Sequence, residues 1–261
     1  DDVESRGLGD VYKRQIYEWS DANKTTPKTA APSIEDAVNV IKPYKEKKCD
    51  VIMFAISEDM SSSANVMRLA ADELEYSDHV YVIDSESLST GIGLMVLEAA
   101  VMADKGIPAE EIVKQIEALK PYVRASFVVD TLKYLHRGGR CSSTAMLVGS
   151  ALKLKPRIVV KNGKMEADHK YRGKQSRVVM QYVKELEPEL LKAKKDRVFI
   201  THSGCADEII KEVKDYLKGL GHFKELFVTR AGGVISSHCG AGTLGAVSYT
   251  HLRAHETRRH L

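Results

Sequence analysis

The sequence predicts an α/β protein built as two domains, and three observations carry that reading. Short, apolar, β-branched runs alternate with segments of helical period along most of the 261 residues. An Asn162-Gly163 step sits between two short runs, a hairpin signal that marks antiparallel pairing in the second half. With 43% apolar and 29% charged residues, the chain has the composition of an ordinary globular protein with enough length for two modest cores.

The elements follow in order. Strands are predicted at 51–56 (VIMFAI), 79–85 (HVYVIDS), 126–130 (SFVVD), 157–161 (RIVVK), 197–202 (RVFITH) and 225–230 (ELFVTR). They are near-continuous apolar runs, as strands flanked by helices tend to be. Helices are predicted over 34–45, 62–74, 94–105, 109–120, 176–193 and 208–217. Long crossover helices before about 140–155 and a hairpin after it place a domain boundary there. The expected domains are 16–148, and 149–247 with a mixed or antiparallel sheet. "DVYKRQ" near the start and "VSYTHLRAHETRRHL" at the end show no helix or strand period and resemble translated sequencing-adapter sequence. Residues 1–15 and 248–261 are therefore expected to be non-native tails, and His251, His255 and His260 are not read as metal ligands.

Composition also excludes function classes. A net charge of +3 gives no nucleic-acid footprint. No apolar run approaches the roughly 18 residues of a membrane span, and no signal-peptide pattern opens the chain, so a cytoplasmic location is expected. Cys49, Cys141, Cys205 and Cys239 are scattered without a C-x-x-C pair, which supports neither a zinc nor a redox motif.

"VISSHCGAGTLG" (234–245) contains a literal G-x-G-x-x-G at Gly240, Gly242 and Gly245, after a strand-like Val234-Ile235. A dinucleotide turn needs a helix opening at the third glycine and an acidic residue about 20 positions on; neither follows, so the match is read as coincidental. G-x-S-x-G and the phosphate-cradling G-x-x-x-x-G-K-[ST] are absent as well. Hydroxyls do gather after apolar runs, at Ser57, Ser61, Ser85, Ser89 and Thr90. They could converge on a crevice at the carboxyl ends of parallel strands, or simply cap the helices that follow.

Several stretches together resemble the DegV family of bacterial fatty-acid-binding proteins: "PKTAAPS" (27–33), "ISEDMSSSANVMRLAA" (56–71), "VIDSESLSTGIGLMVLEAA" (82–100), "FVVDTLKYLHRGGR" (127–140), "LKLKPRIVVKNGKM" followed by Tyr171-Arg172, and "HCGAGTLG" (238–245). Departures are Ala30 for serine, Ser62 for glycine and Ala241 for proline; the family's opening strand is expected to be lost upstream. The resemblance implies an N-terminal Rossmann-like α/β/α domain and a second α/β domain holding one long-chain fatty acid between them. It implies a non-catalytic subunit, without a metal or further cofactor, that presents the carboxyl group to a separate fatty-acid kinase, with transient membrane contact.

Carried over by position, Thr29, Ser61 and His238 would hydrogen-bond the carboxyl. Ser62, Ser63, Ser89, Thr90, Arg140, Arg172 and Gly240 would lie near the ligand mouth. About 14 buried methylenes at roughly 0.8 kcal/mol each give on the order of 11 kcal/mol. Hydrogen bonds to a charged group give about 1.5–3 kcal/mol each. The tail would then set affinity and the polar residues orientation. The competing reading is a hydrolase or acyltransferase using Ser61 or Ser89 with His238 as base, oriented by Asp84 or Asp130. Arg137 is expected in a solvated turn, His202 as structural, and Cys239 on an extended segment facing away from His238.

Overall fold

A computed structural model describes residues 15–139 and 154–250. In chain order the first half runs through a helix over 15–22 (α1), α2 (Ile34–Glu46), β1 (Val51–Ala55), α3 (Ser63–Glu73), β2 (Val80–Asp84), α4 (Thr90–Asp104) and α5 (Ala109–Leu119). There follow β3 (Val123–Val128), α6 (Lys133–Gly138), β4 (Leu154–Lys161) and β5 (Lys164–Arg172). The chain continues through α7 (Gln175–Leu190), β6 (Arg197–Ser203), α8 (Asp207–Gly219), β7 (Glu225–Arg230), α9 (Gly233–Cys239) and β8 (Thr243–Tyr249). Residues 29–121 with 160–164 form one compact unit, and the rest of the described chain forms another.

In the first unit β1 and β2 pair in parallel, from Val51 opposite Val80 to Ala55 opposite Asp84. Helix α2 starts at a capping box: the Ser33 hydroxyl accepts from the Asp36 N–H (3.1 Å), and the Asp36 carboxylate accepts from the Ser33 N–H (3.0 Å). Its buried stripe, Ala37 and Ile41, packs with Ala70, Ala71, Tyr76 and Val80. The Tyr76 hydroxyl donates to the Cys49 carbonyl at 2.8 Å, fixing the turn that leads into β1.

In the second unit the sheet order is β5-β4-β3-β8-β6-β7, with β8 antiparallel to both β3 and β6 and β7 parallel to β6. The expected mixed sheet is thus present. Asn162 (φ 49°) and Gly163 (φ 76°) turn between β4 and β5, as the sequence signal predicts. Val178, Val179, Tyr182, Val183 and Leu186 of α7 and Val213 and Leu217 of α8 share one core with Ile200, Leu244 and Ala246 of the sheet.

Four expectations need correction. The single cut at 148/149 does not coincide with the compact units, because β3 pairs with β8 and so belongs to the second sheet. Residues 248–250, assigned to a non-native tail, are structured: Ser248 and Tyr249 complete β8 opposite Arg124 and Val123, and the Thr250 N–H donates to the Tyr122 carbonyl. All seven residues of β8 are buried, so the strand carries no in–out alternation to read. The apolar pair Val234-Ile235 opens helix α9, not a strand. Arg137 is not simply solvated: its guanidinium donates to the Ser20 carbonyl at 3.1 Å and lies 3.8 Å from Asp21, tying α6 to α1.

Tyr182 joins three elements of the second unit. Its hydroxyl lies 2.9 Å from Ser126 Oγ, donates to the Ser126 carbonyl (2.8 Å) and accepts from the Ala246 N–H (3.1 Å). Tyr182→Phe keeps the ring and leaves these groups short of a partner, so we expect a loss of about 1–3 kcal/mol. Urea unfolding measures it; an unchanged midpoint would show that the hydroxyl does not couple the helix to the sheet.

Candidate functional site

The carboxyl ends of β1 and β2 open into two serine-rich loops, and the fold brings these loops together. Asp84, the last residue of β2, uses one carboxylate oxygen to accept from the N–H groups of Glu58 (3.2 Å) and Glu86 (3.0 Å). The Ser57 N–H donates to the Ser87 carbonyl at 3.0 Å. Buried Ser57 also donates its hydroxyl to the Gly163 carbonyl (2.7 Å). A Cβ on Gly163 would lie 2.7 Å from that same oxygen, so this turn requires glycine both for its φ and for the close approach.

Around this tie lie the predicted hydroxyls. Ser61 and Ser63, both half-buried, are hydrogen-bonded to each other at 2.8 Å. Ser62 and Ser89 stand at the N-cap positions of α3 and α4, yet neither makes a side-chain cap bond. The alternative of helix capping therefore does not account for them, although Ser33 does cap α2. Ser89 has φ 51° and ψ −127°, and Glu86 has φ 47°. Such conformations cost on the order of 1–3 kcal/mol each and persist only where the surroundings enforce them. Thr29 and Thr90 are half-buried in the same unit.

The second unit holds His238, one residue from the end of α9, with a half-buried ring. Helices α6 and α9 pack closely because Gly138 lacks a side chain: a Cβ there would fall 2.1 Å from His238 Nδ1. Gly240 has φ 76°, and its Cβ would fall 2.3 Å from the Tyr134 ring. Gly245 lies in β8, where a Cβ would come within 2.6 Å of the Ser126 carbonyl. Gly240 and Gly242 (φ 78°) stand in the connection from α9 to β8 and Gly245 within β8, so the fingerprint runs from helix to strand, the reverse of the order that a dinucleotide turn needs. Cys239 follows His238 on the helix rather than on an extended segment, so their side chains diverge by about 100°. Arg172 ends β5 and is exposed; Arg140 lies outside the described residues.

A separate cleft of about 790 Å³ in the second unit is lined by Asp130, Lys133, Tyr134, Lys155 and Lys174 among others, and contains none of Thr29, Ser61 and His238. Asp130 is ion-paired with Lys155 there, and Asp84 is engaged by two backbone N–H groups. Both candidate acids thus have other partners. Among the described residues no group of three or more His, Cys, Asp or Glu could hold a metal ion, and no helix is long and apolar enough to cross a membrane. Sequence reasoning missed Lys120, whose ammonium reaches the Asp84 carbonyl at 3.1 Å. A lysine just past the end of an amphipathic helix carries no signal of that task.

Fold and loops define a two-domain α/β protein with hydroxyls gathered at parallel strand ends. A family model described as "Uncharacterised protein, DegV family" matches residues 1–251. A fatty-acid-binding DegV family protein from Thermus thermophilus superposes with a TM-score of 0.83 at 29% identity, over 92% of this chain and 84% of that one. The fatty acid kinase B3 protein of Streptococcus pneumoniae, loaded with linoleic acid, shares the fold at 22% identity, with a TM-score of 0.78 over 92% and 84% of the two chains. The DegV protein of Bacillus subtilis is 30% identical over 233 residues, 89% of this chain and 82% of that protein. The chain belongs to the DegV family.

Burial pushes the Cys205 thiol up to about 12, with the Asp130 charge adding to the effect. Because the folded value exceeds the ordinary one near 9, its contribution is intact below pH 9 and lost as pH rises toward 12. Tyr134, pushed up to about 12 by burial and then by Asp21, adds a loss that begins near pH 10. We expect stability to fall above pH 9 by at most about 1.4 kcal/mol per unit for the thiol, and Cys205→Ala to flatten the first part of that fall. Denaturant midpoints between pH 8 and 10 measure it; identical slopes in both proteins would contradict it.

Proposed function

We propose that this chain binds a long-chain fatty acid and presents its carboxyl group to a separate kinase, acting in the cytoplasm as a ligand-bearing subunit and not as the catalyst. The observation that carries the reading is the gathering of Ser61, Ser62, Ser63, Ser89 and Thr90 at the ends of β1 and β2, with the cap hydroxyls of α3 and α4 not used for capping. The Thermus relative, a fatty-acid binder, supports the ligand class, and the fold shared with a fatty acid kinase B3 protein supports the partner.

The chemistry suits a carboxylate. In the Ser61–Ser63 pair one hydroxyl donates to the other, which leaves the second O–H to donate to an acceptor such as an acid head group. Thr29 adds a further hydroxyl, and His238 of the second unit a ring N–H. The roles of these three residues, like those of Arg140 and Arg172 at the ligand mouth, follow the family resemblance. The competing hydrolase would need an acid beside His238, and both candidates have other partners.

Native mass spectrometry of the purified protein tests the reading: we expect a retained acyl chain, and turnover of an acyl ester with no retained chain would favour the hydrolase. In a displacement assay the delipidated protein should bind a fatty acid more tightly than its methyl ester. Ser61→Ala and His238→Ala should each weaken acid binding by about 1–3 kcal/mol while the tail still holds. Acyl-phosphate yield with a partner kinase should fall further, because a misaligned carboxyl loses the in-line geometry of phosphoryl transfer. Collapse of affinity with constant yield per bound acid would overturn this division between tail and head.

A further inference from the structure

We propose that Lys120 is a positioning residue for the Ser85–Ser89 loop, and that through this loop it sets the preference for an acid head group; the inference rests on the fatty-acid reading above. Lys120 follows α5, its side chain is 14% exposed, and it makes no use of the three predicted head-group residues. Its ammonium has three N–H donors and three acceptors around it: the Asp84 carbonyl at 3.1 Å, Glu117 at 2.6 Å and Glu86 at 3.4 Å. The ammonium therefore binds the end of β2 and the first strained residue of the loop at once.

The loop needs such a clamp. Within five residues it holds Glu86 and Ser89 at positive φ and buries the Ser87 hydroxyl without a hydrogen-bond partner. A free chain would relax all three features, so neighbouring groups must enforce them. Asp84 holds the Glu86 N–H, the Ser85 hydroxyl accepts from the Ser87 N–H at 3.1 Å, and the Ser57 N–H holds the Ser87 carbonyl. Lys120 fixes the carbonyl of Asp84 itself, on which the carboxylate contacts depend. Taking an ammonium out of water is costly, and a hydrophobic side chain of similar size could fill the space. What the ammonium adds is direction: it sets the backbone at Asp84 and Glu86, and so the course of the chain into Ser89 and Thr90.

The test compares wild type, Lys120→Met, Lys120→Arg and Glu86→Gln, each delipidated, for affinity toward a C18 fatty acid and toward its methyl ester. We expect Lys120→Met to weaken acid binding by about tenfold while ester binding stays within about twofold, because one well-placed charged hydrogen bond is of that size. Lys120→Arg should restore most of the acid preference. Glu86→Gln changes an exposed group and serves even if Lys120→Met fails to fold; it should lower the acid-to-ester ratio in the same direction. Equal losses for acid and ester would mean that Lys120 only supports the fold, and would overturn the inference. A wild type that prefers the acid, with variants that keep that preference, overturns this inference alone. A wild type that binds neither lipid, or both alike, overturns the fatty-acid reading and this one with it.

Discussion

The carboxylate of Asp84 is the contact on which the first unit's loops depend. Parallel strands end side by side, but nothing in strand pairing dictates where the chain goes next. Here a single carboxylate oxygen receives N–H groups from both following loops, at Glu58 and Glu86. Backbone donors at a strand end would otherwise face water, so this tie both satisfies them and brings Ser57–Ser63 beside Ser85–Thr90. The Ser57 contacts to Ser87 and Gly163 then extend the tie in two further directions.

The second unit is organised by a different constraint, the lack of side chains at chosen points. Gly138, Gly240 and Gly245 each stand where a Cβ would come within 3 Å of a neighbour. Their effect is positional: α9 rests on α6, and β8 lies close enough to β3 for the Tyr182 hydroxyl to reach the Ala246 N–H. Larger residues at any of these positions would push apart groups whose hydrogen bonds require contact within about 3 Å. The glycines thus act through packing.

What could be read from the sequence follows from how each element is buried. Helices α2, α5 and α8 bury one face each and show it as a period, and β1, β2, β6 and β7 stand out as apolar runs bounded by polar turns. β8 hides because both of its faces are covered and because polar Ser248 and Thr243 are among its buried residues. α9 spans seven residues and opens with Val234-Ile235, so its local pattern is that of a strand. The hydroxyls of the candidate site were legible by type and position, but their division of labour was not. Ser57 ties loops together, while Ser61 and Ser63 pair with each other. Lys120 and Arg137 look like solvated cations in sequence, because a long side chain can reach a distant carbonyl without leaving any trace in local periodicity.

Among the described residues, positive φ on residues with side chains is more frequent in the first unit than in the second. Among the described residues of the second unit, positive φ falls at glycines such as Gly139 closing α6, where it costs little, and otherwise at Lys24. In the first unit it falls on Lys48, Glu75 and Asn162 at turns, and on Glu86 and Ser89 within one loop that also buries an unpartnered hydroxyl. A loop selected for stability alone would place glycine at such positions and cap α4 with the Ser89 hydroxyl, since both changes are small and favourable. Retaining side chains there keeps hydroxyls and a carboxylate at fixed places around the ends of β1 and β2. Glu86 and Ser89 bring two such positions into one loop, and the contacts around it — Asp84, Ser57 and Lys120 — hold it in place.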